Sequence, residues 1–401
     1  MRALLVSLGI GTAALTAIAI LAAIDWPVRQ YRNGDFFQFW AAGRAILEGG
    51  SPYDLERWSA LHLEHASQAT TVWPQPSDGP AWTTPYPMWT LALAAPLALL
   101  PLQVAAATWL VAQLVLVGIG LRVLIRGILA TDRRRDGFLL VGLMFGSQPF
   151  WLLPGNGNIT GYLFAAAAGS LVLWSHGRQR AAGAMAGLFA LKPQSLALFG
   201  VVLLALARRP PAFLAGGTLT LIILVALSLA VRPTWVAEWL PNMAALQGST
   251  GSNATIWTIG RVVTLPGAPM IAAVTLTVAY LTWRAARRPA PVIAAAAALP
   301  LSLLLAPHGW TYDQLLLVPA IAVTLERVAG LSPRKRLPFV LALALSFGPL
   351  GWILAMAAVE RNGEELAVLT PIAILALVML GDELARRDER RPSWVSARGE
   401  I

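Results

Sequence analysis

Apolar runs of membrane-spanning or near-spanning length, separated by short turns rich in charge, glycine or proline, dominate this chain. The first covers residues 3–24 behind a single Arg2. It is longer than a signal-peptide core and no small-residue cleavage site follows it, so it reads as a retained transmembrane helix. Residues 25–86 are polar and aromatic, with Trp58, Trp73 and Trp82 among many prolines, and form the largest expected extramembrane piece. Within it, Phe36, Phe39, Trp40, Ile46 and Leu47 share one helical face while Gln38, Arg44 and Glu48 fall elsewhere, which predicts a helix from Asp35 lying in the membrane interface. Residues 88–100 are apolar but too short to span. After Pro101 come runs at 104–125, 138–153, 159–174, 212–231, 270–283, 292–306, 315–328, 337–359 and 366–380. Between 181 and 207 the apolar sequence breaks at Lys192-Pro193-Gln194. The roughly 11 residues before it rise only about 16 Å, half of a bilayer core, so two half-length helices meeting at Lys192 are expected. The pattern as a whole predicts an all-α polytopic membrane protein of about 12 membrane segments. It would be a single membrane domain over 1–381, with an outward loop at 25–86 and a charged cytoplasmic tail at 382–401.

Composition agrees with that class: 57% of the residues are hydrophobic and only 12% charged, with a mean hydropathy of +0.64. The 401 residues include no cysteine, which excludes disulfides, thiolate metal ligands and a cysteine nucleophile. A net charge of +10 does not point to nucleic acid, because the basic residues come in short clusters between apolar runs with no basic, aromatic-lined groove. With the N-terminus inside, the clusters at 122–135, 178–180, 208–209, 284–288, 334–336 and 386–391 all fall on the cytoplasmic side. That places about 22 of the 30 lysines and arginines there and sets the orientation, with both termini cytoplasmic in the plasma membrane. The turns at 154–158, 231–255 and 307–313 then join the Asp35 loop on the outward face.

Candidate chemistry gathers in those outward pieces. Asp35 follows Gly34 at a helix start, so its carboxylate is either a cap or a general base. Lys192 sits near membrane depth between apolar flanks, where it either contacts a phosphate or snorkels to the interface. His308 lies in Pro307-His308-Gly309-Trp310-Thr311-Tyr312-Asp313. This is an aromatic and polar turn in which the histidine can serve a phosphate oxygen or a leaving group, Asp313 can cap the next helix, and Trp310 and Tyr312 fit an aromatic belt. Asn158, in Gly155-Asn156-Gly157-Asn158, is a polar contact in a tight turn that lacks the Lys-Ser/Thr of a nucleotide loop. Tyr86 is a belt residue or a wall for a sugar ring, and Arg44 on the Asp35 helix joins the substrate contacts. His62 and His65 stand three apart without a third convergent ligand, so no metal site and no cofactor is expected.

Taken together, Asp35 with Gly49-Gly50-Ser51-Pro52-Tyr53-Asp54, Thr84-Pro85-Tyr86-Pro87 opening an apolar helix, Leu191-Lys192-Pro193 and the His308–Asp313 turn resemble glycosyltransferase family 87, the polyprenyl-phosphate-mannose-dependent α-(1→2)-mannosyltransferases. The resemblance implies a GT-C-like bundle with an extracytoplasmic site and inverting transfer of a sugar, mannose first, from a polyprenyl-phosphate donor to a lipid or glycan acceptor. It implies that Asp35 is the base and that His308, and with it Lys192, meets the donor phosphate. Met88 and Asn156-Gly157-Asn158 depart from the family's usual pattern and bear on the acceptor pocket and the sugar. A pentosyl or arabinosyl donor is the alternative within the class. A lipid-linked-sugar flippase or transporter is the alternative outside it, since broken helices and a deep lysine also suit transporters.

Overall fold

A computed structural model describes residues 15–21, 23, 34–66, 83–249, 254–257, 290–361 and 364–389 of the chain, and these contain helices and no strand. The first loop folds as α1 (Asp35–Leu47) and α2 (Leu55–Ala66). Next come α3 (Met88–Ala94), a 3-10 turn (Ala95–Leu99), and the long α4 (Leu102–Gly127). The chain continues through α5 (Arg133–Gly146), α6 (Gln148–Asn156) and α7 (Thr160–Ser175). α8 (Gln179–Gly187) ends in a 3-10 turn (Leu188–Leu191), and α9 (Pro193–Ala205) starts beyond Lys192. Proline at the first helical position removes an N–H that has no partner there anyway, so Pro193 lets the chain turn and restart as a second half-helix. α10 (Pro210–Val231), α11 (Trp235–Ser249) and α12 (Pro291–Leu305) follow. A 3-10 turn (Thr311–Leu317) leads into α13 (Val318–Arg327), then α14 (Pro333–Phe347) and α15 (Pro349–Arg361), and a last 3-10 turn (Glu365–Val368) opens α16 (Leu369–Glu389).

Four helical stretches among the described residues are long and apolar enough to cross a membrane: Leu102–Gly127, Pro210–Val231, Pro333–Ala357 and Glu365–Glu389. The α5–α6 pair, bent by 54°, makes a fifth if it is one span. The described residues therefore support four or five spans and do not support the dozen segments suggested by the apolar runs. The runs at 159–174 and 292–306 fold as helices of 16 and 15 residues, roughly 24 Å long and shorter than a bilayer core of about 30 Å. They are apolar because protein surrounds them: α12 is buried from Ile293 to Leu304, and α13 from Val318 to Leu325. Hydropathy alone does not separate such core helices from lipid-facing ones. α10 is the contrasting case, with Leu214, Leu219, Ile222 and Ile223 all about half exposed or more. The run at 270–283, most of the first run and the end of the charged tail lie outside the described residues.

Polar groups separate to two ends of the bundle. At one end, Glu326 accepts from the backbone of Ala130 and Thr131, Arg336 pairs with Asp136, Arg327 with Asp382 and Glu389, and Lys335 with Asp388. These contacts tie the α4–α5 turn to α13, α14 and α16. The other end of α13 and α16 begins in the turns carrying Asp313 and Glu364, and it is there that Asp35 sits.

Candidate active site

α1 is buried around its circumference from Phe36 to Gly43, Gln38 included, so it lacks the wet polar face that its pattern suggests. The apolar stripe packs Phe36 and Phe39 on Trp109 of α4, with ring centroids 5.8 and 5.2 Å apart, and the opposite side is covered by the rest of the fold. The start of α1 is held from far along the chain. Asn156 Oδ1 accepts the Asp35 N–H at 2.7 Å, which satisfies a helix-terminal donor that has no partner within its own helix. A Cβ on Gly34 would stand 2.2 Å from the Asn156 carbonyl oxygen, so only glycine lets the two segments approach this closely. Gly157, with φ +70°, ends α6 in the left-handed conformation and turns Asn156 toward α1.

With Asn156 supplying the cap, the Asp35 side chain makes no cap bond of its own. Its Oδ2 instead accepts two hydroxyls, Tyr86 Oη and Tyr312 Oη, each at 3.1 Å. Oδ1 has no partner among the described residues. Burial pushes the Asp35 carboxyl above the usual carboxylate range. Lys192 and the two tyrosine hydroxyls pull it back, and Asp313 adds to the rise. Tyr86 is itself buried, packed on Phe39 with centroids 4.6 Å apart.

Lys192 and Asp313 form a buried ion pair. The ammonium donates to both carboxylate oxygens at 2.7 and 2.6 Å, with side chains 3% and 2% exposed. Asp313 also accepts Thr160 Oγ1 at 3.3 Å and the Trp310 N–H at 3.2 Å, while the Lys192 ammonium lies 4.7 Å from the Tyr312 ring centroid. Where the sequence suggests a phosphate contact, Lys192 is paired with Asp313, and the pair holds the 308–313 turn against the helix break. The same turn is tied by Ala254 N–H to the Gly309 carbonyl at 2.9 Å and by Thr311 N–H to Glu364 Oε2 at 2.7 Å. Burial raises the Glu364 carboxyl, opposed by its bonds to Thr311. Trp310 Nε1–H donates to His308 Nε2 at 2.8 Å, which makes Nδ1 the protonated nitrogen of the neutral ring, and Nδ1 is buried without a partner. Burial, aided by Lys192 and opposed by Asp313, lowers His308 to about 4, so the ring is a neutral N–H donor at physiological pH.

Asp35, Tyr86, Lys192, His308 and Asp313 thus lie together. Asn158 and Arg44 both make contacts within the protein. Asn158 is fully buried, and its Oδ1 accepts the Thr160 N–H at 2.7 Å near the start of α7. Arg44 sits in the last turn of α1, pairs with Glu48 at 3.2 Å and lies beside Trp40, nine residues along from Asp35. Three contributors were missed by sequence reasoning: Tyr312 as a direct ligand of Asp35, Asn156 as its cap, and Glu364. The 361–365 turn, with a carboxylate between two apolar runs at the same end, was the signal for Glu364. Nothing local marks the other two.

The arrangement can take a proton at Asp35 Oδ1, while the unpaired N–H of His308 at Nδ1 is buried in the same turn. The model of Glycosyltransferase family 87 matches residues 82–307, more than half of the chain. No curated protein and no solved structure matches it. The matched stretch includes Tyr86, Asn158 and Lys192 and stops one residue short of His308, and Asp35, Tyr312 and Asp313 lie outside it.

Proposed function

Because the chain belongs to glycosyltransferase family 87 and is a membrane glycosyltransferase, we propose that it moves a sugar, mannose first, from polyprenyl phosphate to a hydroxyl of a lipid or glycan, with Asp35 as general base. The observation that carries this reading is the asymmetry of the Asp35 carboxylate: Oδ2 is fixed by two tyrosine hydroxyls while Oδ1 is left without a protein partner. Such an oxygen can accept a proton from a bound hydroxyl without first giving up a bond. In the step, the acceptor oxygen forms its bond to the anomeric carbon and its proton passes to Asp35 Oδ1. The bond from that carbon to the phosphate oxygen breaks, and polyprenyl phosphate leaves with the electron pair. One displacement inverts the anomeric centre. His308 is the expected donor for the phosphate oxygen on which charge accumulates: its Nδ1–H is unpaired in the protein and buried, so the turn must uncover it as the sugar donor binds. Lys192 acts at one remove, by fixing Asp313 and the Tyr312 ring. The site faces outward in the plasma membrane with both termini inside, a reading supported by the basic clusters that gather at the opposite end of the bundle.

The test is Asp35→Asn in purified protein, supplied with radiolabelled polyprenyl-phosphate mannose or arabinose and an alkyl mannoside acceptor. Asn keeps the shape, and the helix cap is provided by Asn156, so folding is expected to be unchanged while transfer falls about 10²-fold or more. Transfer at the wild-type rate would overturn the assignment. Activity with arabinose and none with mannose would move the donor to the pentose.

A further inference from the structure

The segment carrying Tyr86 has an unusual backbone problem. In Thr84-Pro85-Tyr86-Pro87 two of four residues lack an N–H, so the stretch joins neither a helix nor a strand ladder, and its carbonyls must find donors elsewhere. They find them one by one. The Asn242 side chain accepts the Thr83 N–H at 2.7 Å and the Thr83 hydroxyl at 3.1 Å through Oδ1, and donates from Nδ2 to the Thr84 carbonyl at 2.8 Å. Trp239 Nε1 donates to the Pro85 carbonyl at 3.2 Å, and Tyr53 Oη to the Tyr86 carbonyl at 2.9 Å. The Pro87 carbonyl accepts the Thr90 N–H at 2.9 Å at the start of α3. Asn242 and Trp239 stand three residues apart on α11, so they share a face. α11 is in turn anchored by Glu238, which accepts from Arg232, Thr234 and Ser51, the last in the same turn as Tyr53.

We propose that α11 is the positioning element of the catalytic carboxylate: Asn242 and Trp239, with Tyr53 opposite, hold consecutive carbonyls so that the Tyr86 hydroxyl is delivered to Asp35 Oδ2. These are positioning residues that act through Tyr86, and the proposal rests on the reading of Asp35 as base. The groups that act on the Asp35 carboxylate from the packed elements are Tyr86, Tyr312, Lys192 and Asp313. Of these, Tyr86 alone is reached from α11 among the described residues, through the Thr84 and Pro85 carbonyls. Loss of its bond removes a donor that favours the ionised carboxylate, so Asp35 titrates higher and the acidic limb of the rate profile moves to higher pH.

The experiment compares pH profiles of kcat/KM for wild type, Tyr86→Phe, Asn242→Ala, Trp239→Phe and Tyr86→Phe/Asn242→Ala, using whichever polyprenyl-phosphate sugar the wild type turns over and an alkyl mannoside. Tyr86→Phe is expected to shift the acidic limb upward by about 0.7 of a pH unit, the equivalent of one ordinary hydrogen bond. Asn242→Ala should shift it in the same direction, and the double variant should shift no further than Tyr86→Phe. Trp239→Phe keeps an aromatic side chain while removing the indole N–H that holds the Pro85 carbonyl, so it carries the test if Asn242→Ala does not fold. A limb that stays in place in the α11 variants while moving in Tyr86→Phe overturns the inference and leaves Asp35 as base. Full activity in Asp35→Asn overturns both.

Discussion

Removing either partner of the Lys192–Asp313 pair separates a structural lysine from a ligand-binding one. In Lys192→Met the Asp313 carboxylate keeps Thr160 Oγ1 and the Trp310 N–H but loses two charge-assisted bonds of 2.6 and 2.7 Å at a position 2% exposed. An uncompensated charge at that depth costs about 3–5 kcal/mol. Asp313→Leu strands the ammonium at similar cost and also frees Thr160 Oγ1 and the Trp310 N–H, adding about 0.5–1.5 kcal/mol for each. In Lys192→Met/Asp313→Leu no buried charge remains, and the net cost reduces to those two lost bonds, about 1–3 kcal/mol. The double variant should therefore be more stable than Asp313→Leu alone, with a coupling of about 6 kcal/mol or more between the sites, the two stranded-charge costs that it removes. Denaturant titration of the detergent-solubilised protein, followed by the fluorescence of its 16 tryptophans, reads this directly. Transfer should fall in step with stability, because the pair holds the turn that places Tyr312. Wild-type stability in Lys192→Met together with abolished transfer would refute the reasoning and return Lys192 to the donor phosphate.

Three further outcomes follow from the same geometry. Asn156→Ala leaves the Asp35 N–H without its acceptor and should lower stability by about 1 kcal/mol; thermal unfolding at the wild-type midpoint would show that the cap is dispensable. His308, lowered from 6.5 to about 4, binds its proton in the unfolded chain before the folded one. Its contribution to stability is therefore full above about pH 6.5 and is lost as pH falls toward 4. His308→Gln should flatten the pH dependence of unfolding across that window, and an unchanged slope would refute the buried neutral imidazole. Arg44→Ala removes a half-exposed i,i+4 pair with Glu48 and should cost less than about 0.5 kcal/mol with transfer unaffected. A loss of about tenfold would put Arg44 back among the substrate contacts.

Much of this protein is legible along the chain, for identifiable physical reasons. Apolar runs must be helical where no water is available to the backbone, so the helical class and the membrane setting follow from hydropathy alone. Charge asymmetry separates the two kinds of turn. A lysine followed by proline inside an apolar stretch marks a helix break wherever it packs, and the break at Lys192 is where the residues put it. The residue types of the site were visible too: a carboxylate at a helix start, a Tyr-Pro turn and an aromatic turn with histidine and aspartate.

Partnership was not visible, because it depends on which turns meet. Whether Asp35 caps its own helix was decided by Asn156, 121 residues away, which takes the cap and frees the carboxylate. Tyr312, 277 residues away, becomes its ligand only because the turn after α12 reaches the start of α1. Lys192 reads alike as phosphate contact, snorkelling side chain or ion pair until Asp313 is found beside it. The number of spans was likewise a tertiary matter. An apolar helix buried in protein and one facing lipid have the same hydropathy, and only packing around α12 and α13 distinguishes them from α10. The sequence by itself determined the solvent, the helices and the chemistry on offer, since these depend on local composition and spacing. The tertiary structure decided which groups are neutralised and which are left free to act, because that follows from contacts between segments far apart in the chain.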